Sequence, residues 1–344
     1  VNSFGITPAW AENIPTASFA GNILAFAQVA KNSSLTSGMP EVTDRTFTVD
    51  DLTYRVISEE ERTVQLGDGE NKNTTFSGAL EIPRQVNDGS NDYTVVAVGN
   101  NAFSANANIT ALTIPDTVTA IGSRAFDSIG AEMDDNGSQV VVNAIEEVVL
   151  PDSVTFLGEG AFSGSAVESL VFSAGLTEIP ARCFNITPSL TSVTIPEGIE
   201  NIGEQAFNMC TSLSSVHIPA SVASIGNQCF WSCDSLRTVS FAEDSQLEEI
   251  GERAFQFDTA LKSINLPSSL QTIGAQAFAN CSLLDDIGLN ETSQLTVLGD
   301  SAFSNTALTS FYIPETLTSI GEKPLASCSK LEEINVAADN SVYS

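Results

Sequence analysis

Ile195 to Leu213 read IPEGIENIGEQAFNMCTSL, and Ile218 to Leu236 read IPASVASIGNQCFWSCDSL. The two stretches align without a gap: an Ile-Pro pair, an aliphatic residue, a second aliphatic residue followed by Gly, a small residue followed by Phe, then Cys and Leu. A phrase that returns at a fixed period is the mark of a chain built by stacking one small unit on the next. Working outward, the aliphatic-Gly…small-Phe phrase occurs ten times, from Val98-Gly99…Ala102-Phe103 to a degenerate Ile320-Gly321…Pro324-Leu325, with Pro in place of Gly in Ile179-Pro180…Cys183-Phe184. Successive Phe positions, with Leu325 as the last, are separated by 23, 36, 22, 23, 23, 25, 23, 25 and 22 residues, so the unit is 23 residues long.

Each unit also holds an alternating run closed by proline: Leu112-Thr113-Ile114-Pro115, Val193-Thr194-Ile195-Pro196, Val216-His217-Ile218-Pro219, Ile264-Asn265-Leu266-Pro267 and Phe311-Tyr312-Ile313-Pro314. Alternation turns one face inward and one outward, and proline cannot continue a hydrogen-bonded ladder, so each run predicts a short strand with a fixed end. A second short extended segment, such as Leu270-Gln271-Thr272-Ile273, leads into the Gly. The segment that carries the Phe reads as a compact turn or half-helix. One unit cannot bury its own Ile, Leu and Phe. Stacking at a parallel-strand spacing of ~4.8 Å makes their burial continuous, and ten units rise on the order of 50 Å. The 36-residue interval exceeds the unit by 13, and the surplus falls around Ala131 to Ser138, which reads as an exposed excursion.

The phrase resembles the BspA-type leucine-rich repeat, and the resemblance covers residues 98–336. It implies a leucine-rich-repeat solenoid of the α/β repeat type, with mostly short parallel strands. Residues 46–97, including Phe47 to Tyr54, Gly78 to Pro83 and Tyr93 to Val98, resemble the β segment that precedes the first repeat in that family. The expected organisation is therefore a leader at 1–45, a small N-terminal β cap at 46–97, and about ten repeats at 98–344. No polar capping repeat closes the C-terminal end, which reads as truncated or covered by something else. In the leader, Ala17 to Ala30 is too short to span a membrane, and the absence of a basic segment before it argues against an intact signal peptide.

Composition narrows the function. Thirteen Lys and Arg against 43 Asp and Glu give a formal charge of −30, which repels nucleic-acid phosphate and anionic lipid. Neither nucleic acid nor membrane insertion is expected. The single histidine, His217, leaves little room for His-based catalysis, and no nucleophile motif accompanies it, so no enzyme is expected.

Cys210, Cys233, Cys281 and Cys328 all lie three residues after the Phe or its substitute, while Cys183 and Cys229 stand just before it. Shared phase assigns them to buried columns. Cys210 and Cys233 are one repeat apart, a separation that a disulfide spans, whereas Cys281 and Cys328 are two repeats apart. Cys229-x-x-x-Cys233 has no second pair to complete a zinc site, and Asp134-Asp135-Asn136-Gly137 departs from the calcium-loop spacing, so neither metal nor cofactor is expected.

The outward positions of the strands carry the candidate site. Ser192, Thr194, Ser215, His217, Thr238, Ser240, Ser263 and Asn265 form two columns of mostly small polar residues on a flat sheet surface. The family resemblance implies adhesion, and the expected partner is an extracellular protein or glycan, with the protein itself secreted or displayed at the cell surface. The alternative is a structural subunit that assembles head-to-tail through residues 1–45 and the C-terminal repeat edge, since such a contact need not close.

Overall fold

Every repeat contributes the same set of side chains to a single interior, and the repeat of Phe230 is representative. Val216, Ile218, Val222, Ile225, Phe230, Cys233 and Leu236 are all buried. The computed structural model describes residues 38–69, 73–134 and 139–343. The apolar run of the leader, and Asp135 to Gly137 of the acidic cluster, lie outside these residues.

Three ladders run along the stack. The first is the strand face. It is made in segments: Gly78–Glu81 on Ile109–Thr113, then Val148–Val149, Ser169–Val171 and Ser192–Thr194, then Ser215–Ile218 on Thr238–Phe241, an isolated Ser263–Asp286 bridge, and Ser310–Ile313 on Glu333–Val336. Every pairing is parallel.

The second ladder is made of two-residue strands at the aliphatic-Gly step. Seven of them, from Glu178–Ile179 to Ser319–Ile320, pair in one unbroken parallel sheet. The following Gly is fixed by a close approach rather than by an unusual dihedral. A Cβ on Gly226 would lie 2.7 Å from the backbone nitrogen of Glu204, and one on Gly274 would lie 2.6 Å from that of Glu252. Backbone has nowhere to retreat at that distance, so these repeats need hydrogen at this position, which Pro180 alone among the ten copies does not supply.

The third ladder is the turn that carries the phenylalanine. The α/β expectation allows a half-helix here, and the structure corrects it: the segment is a run of tight turns, and no helix occurs among the described residues. The reason lies in the backbone bonds. Gln205, Phe207 and Met209 donate their N–H groups to carbonyls of the next repeat, at Asn227 (2.9 Å), Cys229 (2.8 Å) and Trp231 (2.8 Å). Alternate N–H groups thus point along the stack, which a helix, with every bond internal, does not allow. The geometry requires left-handed residues two before and two after each phenylalanine, such as Gln205 (φ 56°) and Met209 (φ 55°).

Between the ladders lies the aromatic column. Phe103, Phe126, Phe162, Phe184, Phe207, Phe230, Phe255, Phe278 and Phe303 are fully buried. Consecutive rings stack with centroids 5.1–5.9 Å apart and planes within 2–20° of each other. Offset aromatic pairs contribute about 0.5–1.5 kcal/mol beyond the area they bury.

Upstream, Thr46–Val49, Leu52–Ser58 and Thr63–Leu66 form an antiparallel meander. Its third strand pairs in parallel with Asp92–Val98, which pairs in turn with Ala120–Ile121, so the meander's sheet runs directly into the second ladder. Leu66 is in register with Val98 and Leu80 with Leu112, which makes Leu66 to Pro83 a partial repeat ahead of the first full one. Arg45 ties this region together. Its guanidinium donates to Glu59 (2.5 Å), the Tyr93 hydroxyl (2.6 Å) and Asp88, and lies 5.6 Å from the Tyr93 ring centroid. In the long interval, Ala131–Met133 pairs antiparallel with Gln139–Val141.

Candidate binding face

Side chains alternate along a strand, so burial of Val216 and Ile218 turns Ser215 and His217 outward. The same parity holds in neighbouring repeats. Ser192, Thr194, Ser215, His217, Thr238, Ser240, Ser263 and Asn265 are all exposed. Where strands pair, the register sets these residues side by side. Ser215 stands beside Thr238 and His217 beside Ser240. His217 Nδ1 lies 3.0 Å from the Ser240 hydroxyl, and the Ser192 hydroxyl donates to that of Ser169 at 3.2 Å. All eight residues therefore share one face, in two columns two residues apart along the strands.

The charge on this face differs from that of the chain. From Ser169 and Val171 to Ser263 and Asn265 the two columns contain no Asp or Glu, although the chain has 43. Acids resume at Glu147, one residue before Val148, which pairs with Leu170, and at Asp286, which bridges to Ser263. The column just before the strands holds charges of both signs, Glu168, Arg237, Lys262 and Asp285, with Lys262 lying 3.8 Å from Asp285. The face is an uncharged, hydroxyl-rich strip on a strongly acidic molecule.

Nothing on it is arranged for chemistry. His217 meets the Ser240 hydroxyl through Nδ1, and a nucleophile–base–acid series would also need a carboxylate on the other ring nitrogen. Among the described residues, no group of three His, Cys, Asp or Glu side chains is placed to hold a metal ion.

The cysteines lie inside the stack. All six are free thiols, and all but Cys328 are buried. Cys210 and Cys233, the pair one repeat apart, are not bridged. Instead each thiol donates to the phenylalanine carbonyl one repeat earlier: Cys210 to Phe184 (3.2 Å), Cys233 to Phe207 (3.2 Å), Cys281 to Phe255 (2.9 Å) and Cys328 to Phe303 (3.1 Å). Burial pushes the Cys183, Cys229, Cys233 and Cys281 thiols well up from their ordinary value, with Cys210 also raised. Such thiols are poor nucleophiles and poor metal ligands. The same column contains Thr187, whose hydroxyl donates to the Phe162 carbonyl, and Asp258, which a search for cysteines alone passes over. Numbering every repeat from its phenylalanine finds both.

The fold and face together define a repeat solenoid with a polar strand surface. Six copies of the BspA type leucine-rich repeat region match residues 85–133, 142–256 and 248–343, and the chain belongs to that family. No curated protein matches the chain. Among solved structures it is similar to a leucine-rich cell surface protein of Faecalibacterium prausnitzii A2-165, at 22% identity over 87% of this chain and 96% of that one, with a TM-score of 0.40. It is also similar to the pneumococcal vaccine antigen PcpA, at 19% identity over 87% and 72% of the two chains with a TM-score of 0.43. The leucine-rich repeat protein of T. pallidum matches at 20% identity over 84% and 91%, with a TM-score of 0.38. The family is one of repeats, and no family of enzymes is indicated. Among the described residues, no helix is long and apolar enough to cross a membrane.

Proposed function

We propose that the chain is a non-catalytic, secreted or cell-surface binding protein, adhesin-like, whose strand face takes an extracellular protein or glycan. One observation carries this reading: eight polar side chains, all exposed, stand in two columns free of acidic residues on a chain of net charge −30. Solubility alone would favour acids on this face as on the rest of the surface. Small side chains keep it flat, so a partner's backbone or sugar ring can approach closely, and Ser, Thr, His and Asn both donate and accept hydrogen bonds. The high charge suits a protein that stays dispersed in a saline medium.

A panel of immobilised extracellular-matrix proteins and a glycan array, probed with the wild type and with Ser215→Arg/His217→Arg/Ser240→Arg, tests the proposal. Capture of the wild type, with at least tenfold weaker capture of the folded variant, supports it. Equal capture of both moves the site off this face.

A second reading, a structural subunit that assembles head-to-tail, is favoured by the strand Glu333–Val336. It pairs on one side with Ser310–Ile313 and carries Ile334 at 51% exposure, with Leu331 and Val336 half-buried nearby. Light scattering separates the two readings: concentration-dependent growth in mass that Ile334→Lys abolishes supports assembly, and a monomer at high concentration excludes it.

A further inference from the structure

In the column three residues beyond each phenylalanine, five side chains share one bond, and Asp258 is the one ionisable acid among their counterparts. Thr187, Cys210, Cys233, Cys281 and Cys328 each offer an O–H or S–H to the phenylalanine carbonyl of the preceding repeat. Asp258 holds the same register in the repeat of Phe255, and its acceptor by that pattern is the carbonyl of Phe230. It has no exposed surface. Oδ1 accepts the Cys233 N–H at 2.8 Å, while Oδ2 is buried and has no hydrogen-bond partner. A carboxylate there would leave one charged oxygen unpaired in an apolar stack, which burial strongly disfavours.

The surroundings offer no relief. The titratable groups around it are Cys229, Cys233 and Asp234 of the preceding repeat and Cys281 of the following one. The one charged group among them, Asp234, has the same sign. On the strand face the two repeats are held by the ladder of Ser215–Ile218 on Thr238–Phe241, and the ladder breaks one repeat further on, before the Ser263–Asp286 bridge.

We propose that Asp258 is a neutral carboxylic acid in the folded stack, that its proton supplies the donor its threonine and cysteine counterparts offer, and that the joint between the repeats of Phe230 and Phe255 is therefore pH-sensitive. Burial raises its pKa well above the ordinary carboxylate value, with the Asp234 charge acting in the same direction. In an opened joint the carboxyl is hydrated and titrates near about 4. Below that pH the closed and opened forms bind the proton equally and closure carries no penalty. Above it the opened form releases the proton and the closed form keeps it. The opening equilibrium then grows about tenfold per pH unit until the folded pKa is reached. The joint weakens as pH rises. The inference stands independently of which partner, if any, the strand face binds.

Hydrogen exchange on the whole chain, corrected for the intrinsic rate, tests this. Protection of the Cys233 and Ser232 amides falls about tenfold per pH unit above about pH 5 in the wild type. The Cys210 and Met209 amides, one joint earlier, stay level. Asp258→Cys, which restores the column's own donor, removes the slope, and Asp258→Thr does the same if the cysteine variant folds poorly. A protonated-carboxyl infrared band at neutral pH, missing in Asp258→Asn, is the second expected signature. A wild type with level protection at Cys233, or with no such band, overturns the proposal whatever the variants do.

Discussion

The turn face and the strand face belong to the same repeats and are held by opposite means. On the turn face, three backbone N–H groups per repeat reach the next, as at Arg182, Phe184 and Ile186, and the phenylalanine lies directly beneath them. On the strand face the ladder is broken into segments, and the outward side chains vary from serine to histidine to asparagine. The difference teaches where sequence freedom resides. The face that holds the stack together has few acceptable residues beneath it, and the face that leaves its backbone partly unbridged is free to be shaped for a partner.

The sharpest way to break that comparison is to remove a ring from the column. Phe230 stacks on Phe207 at 5.3 Å and on Phe255 at 5.2 Å. Phe230→Ala leaves a cavity that rigid backbone ladders on either side cannot close, at a cost of about 3–5 kcal/mol. Urea denaturation measures it. Because each repeat contacts mainly its neighbours, a lowered midpoint accompanied by a smaller m-value would show the stack parting at that repeat. An unchanged midpoint would mean that the column does not carry the stack.

Gly226→Ala tests the second ladder with a single methyl group. The new Cβ would meet the Glu204 nitrogen and the Gly203 carbonyl carbon, both at 2.7 Å, so one ladder must move away from the other. The expected loss is about 1–3 kcal/mol by the same denaturation measurement. A neutral substitution would mean that the spacing between repeats is softer than the continuous hydrogen bonding indicates.

What the sequence discloses follows the same division. Strands, their polarity, the buried phenylalanines and the exposure of Ser215, His217 and their counterparts are all legible, because they depend on side-chain period and on proline. The left-handed positions are not. Arg182, Gln205, Ile186 and Met209 carry none of the glycine signal that such backbone normally leaves, because the conformation is imposed by bonds to the next repeat rather than chosen locally. The sequence leaves the choice between a compact turn and a half-helix open for the same reason: local pattern cannot reveal that alternate N–H groups are committed along the stack. Asp258 is legible in register but not in consequence, since burial of its second oxygen depends on two neighbouring repeats.

Ile186 offers a smaller test of the turn face, with the opposite sign. It is β-branched, 39% exposed and held at φ 54°. Left-handed backbone costs a non-glycine residue about 1–2 kcal/mol, and asparagine bears that cost best. Asn280 and Asn305 occupy the equivalent position further along, where the Asn305 side chain donates to Asn280 at 3.0 Å. Ile186→Asn therefore gains roughly 1 kcal/mol, less whatever the half-covered isoleucine contributes by packing. A loss of stability would mean that the isoleucine is held by contacts worth more than its strain.

The smallest expected effect is on the strand face, and there a null result is the informative one. The Ser215 side chain is exposed and stands beside Thr238 in the register. Replacing its hydroxyl with hydrogen removes a group that water serves equally well, so Ser215→Ala changes stability by less than about 0.5 kcal/mol. The same applies to Ser240→Ala, whose 3.0 Å contact with His217 is exposed and exchanges readily for water. If both substitutions leave the denaturation midpoint unchanged while either lowers partner capture, then stability and recognition sit on different faces of one repeat. If instead Ser240→Ala destabilises the stack by 1 kcal/mol or more, the hydroxyl columns help hold it together, and the separation of the two faces fails at its weakest joint.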